Sequence, residues 1–141
     1  MLVVVDTPDD STIPVVDRLA ADDSRIRAVV NSYGRGPAQA IRYGFDTAAA
    51  PTVVVTMADG SDDPRQIDSL TELVERGVVV AAGSRYMAGG QQIGGPRFKR
   101  TLSRVAGQSL HLFAGIGTRD ATNSFKAYNA CLLYTSDAAD E

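Results

Sequence analysis

A chain of 141 residues, with 44% apolar and 22% charged residues, has the size and composition of one globular domain with a buried core. Its net charge of −3 gives no basis for binding nucleic acid, no apolar run approaches the roughly 18 residues of a membrane span, and Asp6, Asp9 and Asp10 break any leader pattern at the start. The single Cys131 excludes an internal disulfide and suits a reducing cytoplasm.

The stretch "LVVVD" (2–6) is short, apolar and β-branched, which predicts a buried strand rather than a helix. "STIPVVDRLAADD" (11–23) reads as a helix, with Ser11 or Thr12 as cap and Pro14 in the first turn. "IRAVV" (26–30) is the next strand and "NSYGRG" (31–36) a loop. A second helix is predicted over 36–50, with Pro37 at its first position. Gly44 lies inside it at a cost of about 1 kcal/mol relative to alanine, so close packing is expected there. "TVVVTM" (52–57) is a third strand. The helix over 63–77 has the clearest signals: Asp63 as cap, Pro64 at the first position, Gln66 completing a capping box and Gly77 as terminator. Ile67, Leu70, Leu73 and Val74 form its apolar stripe. "VVVAAG" (78–83) is a fourth strand, a Gly-rich loop follows over 88–96, and an amphipathic helix spans 97–115. Phe98, Leu102, Val105 and Leu112 line one face of that helix, and Arg97, Arg100, Arg104 and His111 the other.

Strands alternate with helices through residue 83, and the strands are continuous apolar runs. That pattern predicts an α/β fold with a mostly parallel sheet covered by helices on both faces. Each strand is followed at once by polar or glycine residues: Asp6, then Asn31 to Gly36, then Asp59 to Asp63, then Gly83 to Arg85. Ligands of open α/β sheets bind at such carboxyl ends. Carboxylates there suit a hard cation, Mg²⁺ or Mn²⁺, which neutralises phosphates. Arg85 offers a planar fork for phosphate oxygens. The three aspartates divide. Asp63 is a helix cap. Asp59 precedes the helix by four residues, too early to cap it, and so points to a cation. Asp62 could serve either end. Cys131 has no activating neighbours in the sequence, and His111 has no second ligand at metal spacing.

The segments "VVVD…DDST", "NSYGRGPAQAIRYG", "VVVTMADGSDDP", "GSRYMAGG", "FKRTLSR" and "RDATNSFKAY" occur in an order and spacing that resembles family 2 glycosyltransferases of the GT-A fold. The closest resemblance is to dolichyl- and polyprenyl-phosphate sugar synthases, and it covers residues 2 to about 128. It implies that Asp6 contacts the nucleotide base and that the loop with Asn31 and Gly34 lies near the nucleotide. It makes Asp59 the second aspartate of a metal motif. It gives Arg85, Lys99, Arg100, Ser103 and Arg104 to the donor and acceptor phosphates, and Asp120 and Asn123 to a turn that closes the site. The donor it implies is a GDP- or UDP-sugar, the acceptor a polyprenyl phosphate, and the setting the cytoplasmic membrane surface.

Three departures stand out. Met57 replaces the first aspartate of the metal motif, and a thioether is a poor ligand for Mg²⁺. Metal binding then rests on Asp59, helped by Asp62. The family's first strand precedes the point where this chain begins, so the expectation is a catalytic domain over 1–130 without it. "CLLYTSDAADE" (131–141) reads as the translation of a cloning junction rather than native protein.

The acceptor can be argued from chemistry. A sugar hydroxyl needs a base to take its proton, and Asp120 is the only acid between Glu75 and the tail. A phosphate acceptor is already ionised near pH 7 and needs cations instead. Arg97, Lys99, Arg100 and Arg104 supply them, with three of the four on one helical face. The expected reaction is sugar transfer to polyprenyl phosphate with inversion. Its rivals are an inactive GT-A fragment that only binds nucleotide, a transferase with a hydroxyl acceptor, and a phosphoacceptor signalling module. Against the last stands Arg85, which follows the fourth strand where that module carries a lysine.

Overall fold

The computed structural model describes residues 1–85, 105–109, 111–113, 120 and 123–131. They fall into two compact units, Met1–Ala50 and Pro51–Glu141.

In the first unit, β1 (Leu2–Val5) leads to α1 (Ile13–Asp22), β2 (Arg27–Val30) and α2 (Pro37–Thr47). β1 and β2 pair in parallel, with Leu2 opposite Arg27 and Val5 opposite Val30. This is the strand–helix–strand crossover predicted from the apolar runs. α1 starts after Thr12, whose side chain makes no capping bond; the Asp10 carboxylate accepts from the Thr12 N–H at 2.8 Å instead. α2 lies against β1 at Gly44, where an added Cβ would stand 3.5 Å from Val4 Cγ2. That is ordinary contact distance, so the helix touches the strand there but does not require glycine.

In the second unit, β3 (Thr52–Val55) is followed by a 3₁₀ turn (Pro64–Gln66), α3 (Ile67–Glu75), β4 (Val80–Ala82) and, much later, β5 (Lys126–Asn129). The sheet order is β3-β5-β4, and β5 runs antiparallel to both neighbours. β3 and β4 therefore point the same way, as expected, but they do not pair with each other. The parallel sheet read from the sequence holds for β1 and β2, while the second sheet is built on antiparallel hydrogen bonds. β5 escapes the search for apolar runs because "KAYN" alternates. Its core-facing member is Ala127, fully buried, with Phe125 on the same side just before the strand.

Leu70, Val74, Ala81, Phe125 and Ala127 form the core, with Val54 and Ile67 packed against it. The row Val54–Ala127–Ala81 crosses all three strands beneath α3. Burying a Leu, Val or Phe side chain is worth about 1.5–3 kcal/mol. The exposed Arg76–Glu72 pair on the same helix is worth about 0.3–0.5 kcal/mol, so apolar packing decides where α3 sits. Leu73, predicted in the buried stripe, is 43% exposed. Its carbonyl instead accepts from the Val78 N–H at 3.1 Å while the Gly77 N–H reaches Val74 O at 2.9 Å. These two bonds form a Schellman cap, and Gly77 at φ 100° supplies the left-handed residue that it needs.

Residues 105–109 and 111–113 are helical, in agreement with the helix predicted over 97–115. Val105 and Leu112 are exposed, so the apolar face is not covered at those two positions. Lys99, Arg100, Ser103 and Arg104 lie outside the described residues, as do Arg97, Phe98, Leu102, the Gly-rich loop and the tail beyond Cys131.

Two glycines are expected to respond oppositely to alanine. Gly44→Ala should stabilise the protein by about 1 kcal/mol, because the methyl fits and the helix gains propensity. At Gly83 a Cβ would stand 2.8 Å from the buried Phe125 ring, so Gly83→Ala should cost about 1–3 kcal/mol. Urea unfolding of the two variants against the parent measures both.

Candidate functional site

The polar residues after each strand were the predicted site, and each unit brings some of them together. In the first, parallel pairing of Val5 with Val30 sets Asp6 beside Asn31. Asn31 is 6% exposed, and its amide is fully engaged. It donates to Asp6 Oδ1 at 3.2 Å and to the Gly34 carbonyl, and its own oxygen accepts from the Tyr33 N–H at 2.9 Å. The other Asp6 oxygen accepts from the Gly36 N–H at 3.0 Å, at the start of α2. Gly36 holds φ at 115° there. Asp6, Asn31 and Gly34 are thus one hydrogen-bonded unit that fixes the loop, with a carboxylate at a helix N-terminus. The loop is also pinned from outside. The Tyr33 ring meets Tyr43 edge-on at 5.3 Å, and the Arg42 guanidinium lies 5.7 Å from its centroid. A hydrogen bond to Asp46 holds the Tyr33 hydroxyl above its ordinary pKa.

In the second unit the three aspartates after β3 do three different things. Asp63 caps the 3₁₀ turn, its Oδ1 accepting from the Arg65 N–H at 3.1 Å. The Arg65 guanidinium completes the pair at 2.9 Å, so the partner is Arg65 rather than the Gln66 of the predicted capping box. This pairing holds the Asp63 carboxyl below its ordinary pKa. Asp62 folds back: its Oδ2 accepts from Thr56 Oγ1 at 3.1 Å and from the Met57 N–H at 2.9 Å. It closes the turn that presents Met57 and Asp59. Asp59 is exposed, and its Oδ1 accepts from the Ser61 N–H at 3.0 Å. Hydrogen bonding from Ser61 keeps its carboxyl below the ordinary carboxylate value, so it is ionised at neutral pH.

Among the described residues, no three Asp, Glu, His or Cys side chains converge to hold a metal. The donor set here is one exposed carboxylate, Asp59, with Asp62 partly committed to its turn. Mg²⁺ commonly binds through one or two carboxylates and the phosphates of a substrate. The residues fit a cation shared with a diphosphate, and they do not fit a cage made by protein alone.

After β4 the chain runs Gly83, Ser84, Arg85. Arg85 is drawn onto Asp120 by three bonds: its N–H to Oδ2 at 3.0 Å, Nε to Oδ2 at 2.9 Å and Nη2 to Oδ1 at 2.7 Å. The Asp120 side chain is fully buried and that of Arg85 28% exposed. The Asp120 carbonyl accepts from the Asn123 N–H at 3.2 Å, and Asn123 Nδ2 donates to the Gly83 carbonyl at 2.8 Å. The expected closing turn at Asp120 and Asn123 is thereby a clasp on the end of β4. The buried ion pair joins partners 35 residues apart, which no local sequence pattern encodes. The available signal was an isolated acid in a long stretch without others.

The profile of the family described as "Glycosyl transferase family 2" matches residues 1–135. Polyprenol monophosphomannose synthase of Mycolicibacterium smegmatis is 33% identical, over 97% of this chain and 53% of its own. Undecaprenyl-phosphate mannosyltransferase of Micrococcus luteus is 29% identical, over 97% of this chain and 57% of its own. Dolichol-phosphate mannosyltransferase of Pyrococcus furiosus is 30% identical, over 74% of this chain and 30% of its own. The chain spans about half the length of the first and second of these relatives.

The Asn31 network makes a prediction with a pH signature. Asn31→Ala removes three hydrogen bonds at a buried position and should cost about 1–3 kcal/mol at any pH. Asn31→Asp sets a second carboxylate against Asp6, which raises the folded-state pKa of the pair. That penalty applies when both are charged, so the variant should be weakest at neutral pH. It should recover relative to Asn31→Ala as pH falls into the carboxylate range. Denaturant melts at neutral and mildly acid pH compare the two.

Proposed function

The chain belongs to glycosyl transferase family 2, and on that premise we propose that it handles the sugar-transfer step from a GDP- or UDP-sugar to a polyprenyl or dolichyl phosphate. The similarity to polyprenyl-phosphate mannosyltransferases over nearly the whole chain supports the lipid phosphate as acceptor and mannose as the first sugar to test. The observation that carries the reading is the state of Asp120. Between Glu75 and the tail it is the only acid, and it is fully buried and ion-paired. It is in no position to take a proton from a sugar hydroxyl. A phosphate acceptor needs no such base.

The proposed reaction is a direct displacement. An acceptor phosphate oxygen forms a bond to the anomeric carbon as the bond from that carbon to the diphosphate breaks. The anomeric configuration inverts, and the nucleoside diphosphate leaves with both electrons of the old bond. A bound Mg²⁺ or Mn²⁺ would neutralise the diphosphate as charge builds on it. Asp59 would hold that cation, with Asp62 shaping the turn around it. The Asp6–Asn31–Gly34 loop would take the nucleotide end of the donor. Arg85, Lys99, Arg100, Ser103 and Arg104 would hold the acceptor phosphate, with the basic helix at the membrane surface. Among the described residues no helix is long and apolar enough to cross a membrane. The proposal has the catalytic part working at the cytoplasmic face of the membrane.

Met57 favours one second reading, a nucleotide-binding module without transfer, because it removes a ligand from the metal motif. A transfer assay with labelled GDP- and UDP-sugars separates the two. Label should pass to polyprenyl phosphate in a divalent-cation-dependent manner, with the anomeric configuration inverted. Asp59→Asn should abolish cation-dependent nucleotide binding in calorimetry. Asp63→Asn should leave it nearly intact, since asparagine caps as well as aspartate. Nucleotide binding without transfer would establish the second reading. Transfer to free sugar hydroxyls but not to lipid phosphate would overturn the acceptor assignment.

A further inference from the structure

The helical residues 105–109 and 111–113 turn small residues inward and large apolar ones outward. Gly107 is buried, and Ala106 and Ser109 are half-buried, with Ser109 Oγ donating to the Ala106 carbonyl at 2.9 Å. Val105 is 56% exposed, Leu112 76% and Phe113 90%. Leu112 and Phe113 are the two most exposed large apolar side chains among the described residues. A helix of a globular protein normally turns its apolar stripe to the core. On the helix predicted over 97–115, Val105 and Leu112 lie close to two turns apart and share a side, with Phe113 next to it. One exposed apolar residue is ordinary; three on one side of a helix make a face. The charge around this face is one-sided. Between Glu75 and Asp120 the chain has seven Lys and Arg and no acid, whereas the rest sets seven Lys and Arg against all 17 acids. Four of the first seven, Arg97, Lys99, Arg100 and Arg104, come just before Val105 in the sequence.

We propose that Val105, Leu112 and Phe113 form an insertion face for an anionic bilayer, their side chains entering the boundary between headgroups and acyl chains. The inference deepens the lipid-phosphate reading: it rests on an acceptor that lies in a membrane, and it names the side chains that carry the protein into that membrane. It differs from adsorption through basic residues alone, because the contact that holds the helix is apolar. Amphipathic helices lie in this boundary with the apolar side about 5–10 Å deep, and anionic lipids add electrostatic attraction. The local charge selects the partner. A chain of net −3 is repelled by an anionic surface as a whole, yet the segment that contains this helix carries only positive charge. A second copy of the chain fits worse, since a symmetric contact through this helix would set the same cations against each other.

The full 141-residue chain has no tryptophan, so Phe113→Trp introduces a single reporter at a position open enough to accept it. Leu19→Trp, at an exposed position of α1, is the control. Vesicles of phosphatidylcholine with phosphatidylglycerol should shift the emission of Phe113→Trp to the blue. Lipids brominated near the headgroup end of the acyl chain should quench it. The emission of Leu19→Trp should not change. Vesicles of phosphatidylcholine alone should bind about tenfold more weakly. The double variant Leu112→Ser/Phe113→Ser should sediment with the anionic vesicles about tenfold more weakly than the parent. Its affinity for a water-soluble isoprenyl monophosphate, measured without vesicles, should stay within about twofold. Unchanged vesicle binding by the double variant would reduce the attachment to charge and overturn the proposal. Equal blue shifts in the two tryptophan variants would overturn it as well. So would a shift of Phe113→Trp that grows with protein concentration in the absence of vesicles, which would give the face to a second copy. Insertion by a chain that does not bind isoprenyl monophosphate would overturn the acceptor reading and leave the insertion face standing. Binding of that phosphate without binding of vesicles would do the reverse.

Discussion

The second unit is organised by one late strand that serves two earlier ones. β3 and β4 have no hydrogen bonds to each other; each bonds to β5, which sits between them with its direction reversed. The core follows from that placement. Ala127 occupies the centre of the sheet with no exposure, small enough for α3 to bring Leu70 and Val74 down over it. The ends of the strands follow too. Where β5 begins, Phe125 presses on Gly83, and the residues just before it deliver Asn123 and Asp120 to the end of β4. Arg85 holds its place because β5 holds its own.

The polar residues at the strand ends divide into those bonded within the loops and those that face water. Asn31 bonds to backbone groups of its own loop, Asp6 reaches across to Asn31 and Gly36 of that loop, and Asp62 closes its own turn on Thr56 and Met57. Asp63 is matched by Arg65 and Asp120 by Arg85. Asp59 stands apart because it accepts from the Ser61 N–H, two residues on, and its side chain faces water. Three like charges close together are tolerable under this arrangement. One is neutralised by an arginine, one is satisfied by backbone and hydroxyl donors, and one is solvated.

Much of this was legible in the residues. The β-branched runs marked β1, β2 and β3, and Pro37, Asp63 and Gly77 marked helix ends because each imposes a backbone geometry that few residues tolerate. The role of Asp63 followed from its distance to the helix. Other features were hidden for physical reasons. β5 is short and half polar, and its buried member is an alanine, so no apolar run announces it. The strand order depends on pairing across some seventy residues of chain, which local patterns do not encode. Leu73 fell on the predicted stripe, but it lies at the edge of the face set by Ile67, Leu70 and Val74, and its side chain stays in water. Gly44 suggested a tight contact, yet space for a methyl group remains. Asp120 looked like part of a turn because nothing in sequence shows that a carboxylate will be sealed from solvent beside a distant arginine.

The order of the strands along the chain also has a consequence for synthesis. The first unit can pair β1 with β2 as soon as residue 30 has left the ribosome. In the second, the β-branched strand at 52–55 emerges some seventy residues before its partner at 126–129. At translation rates of about 5–20 residues per second, that strand waits for seconds with its hydrogen-bonding edge open. A nascent chain in this state is a substrate for chaperones that shield extended apolar segments. Slow stretches of translation between residues 56 and 125 would lengthen its exposure, whereas the same delay before residue 50 would not.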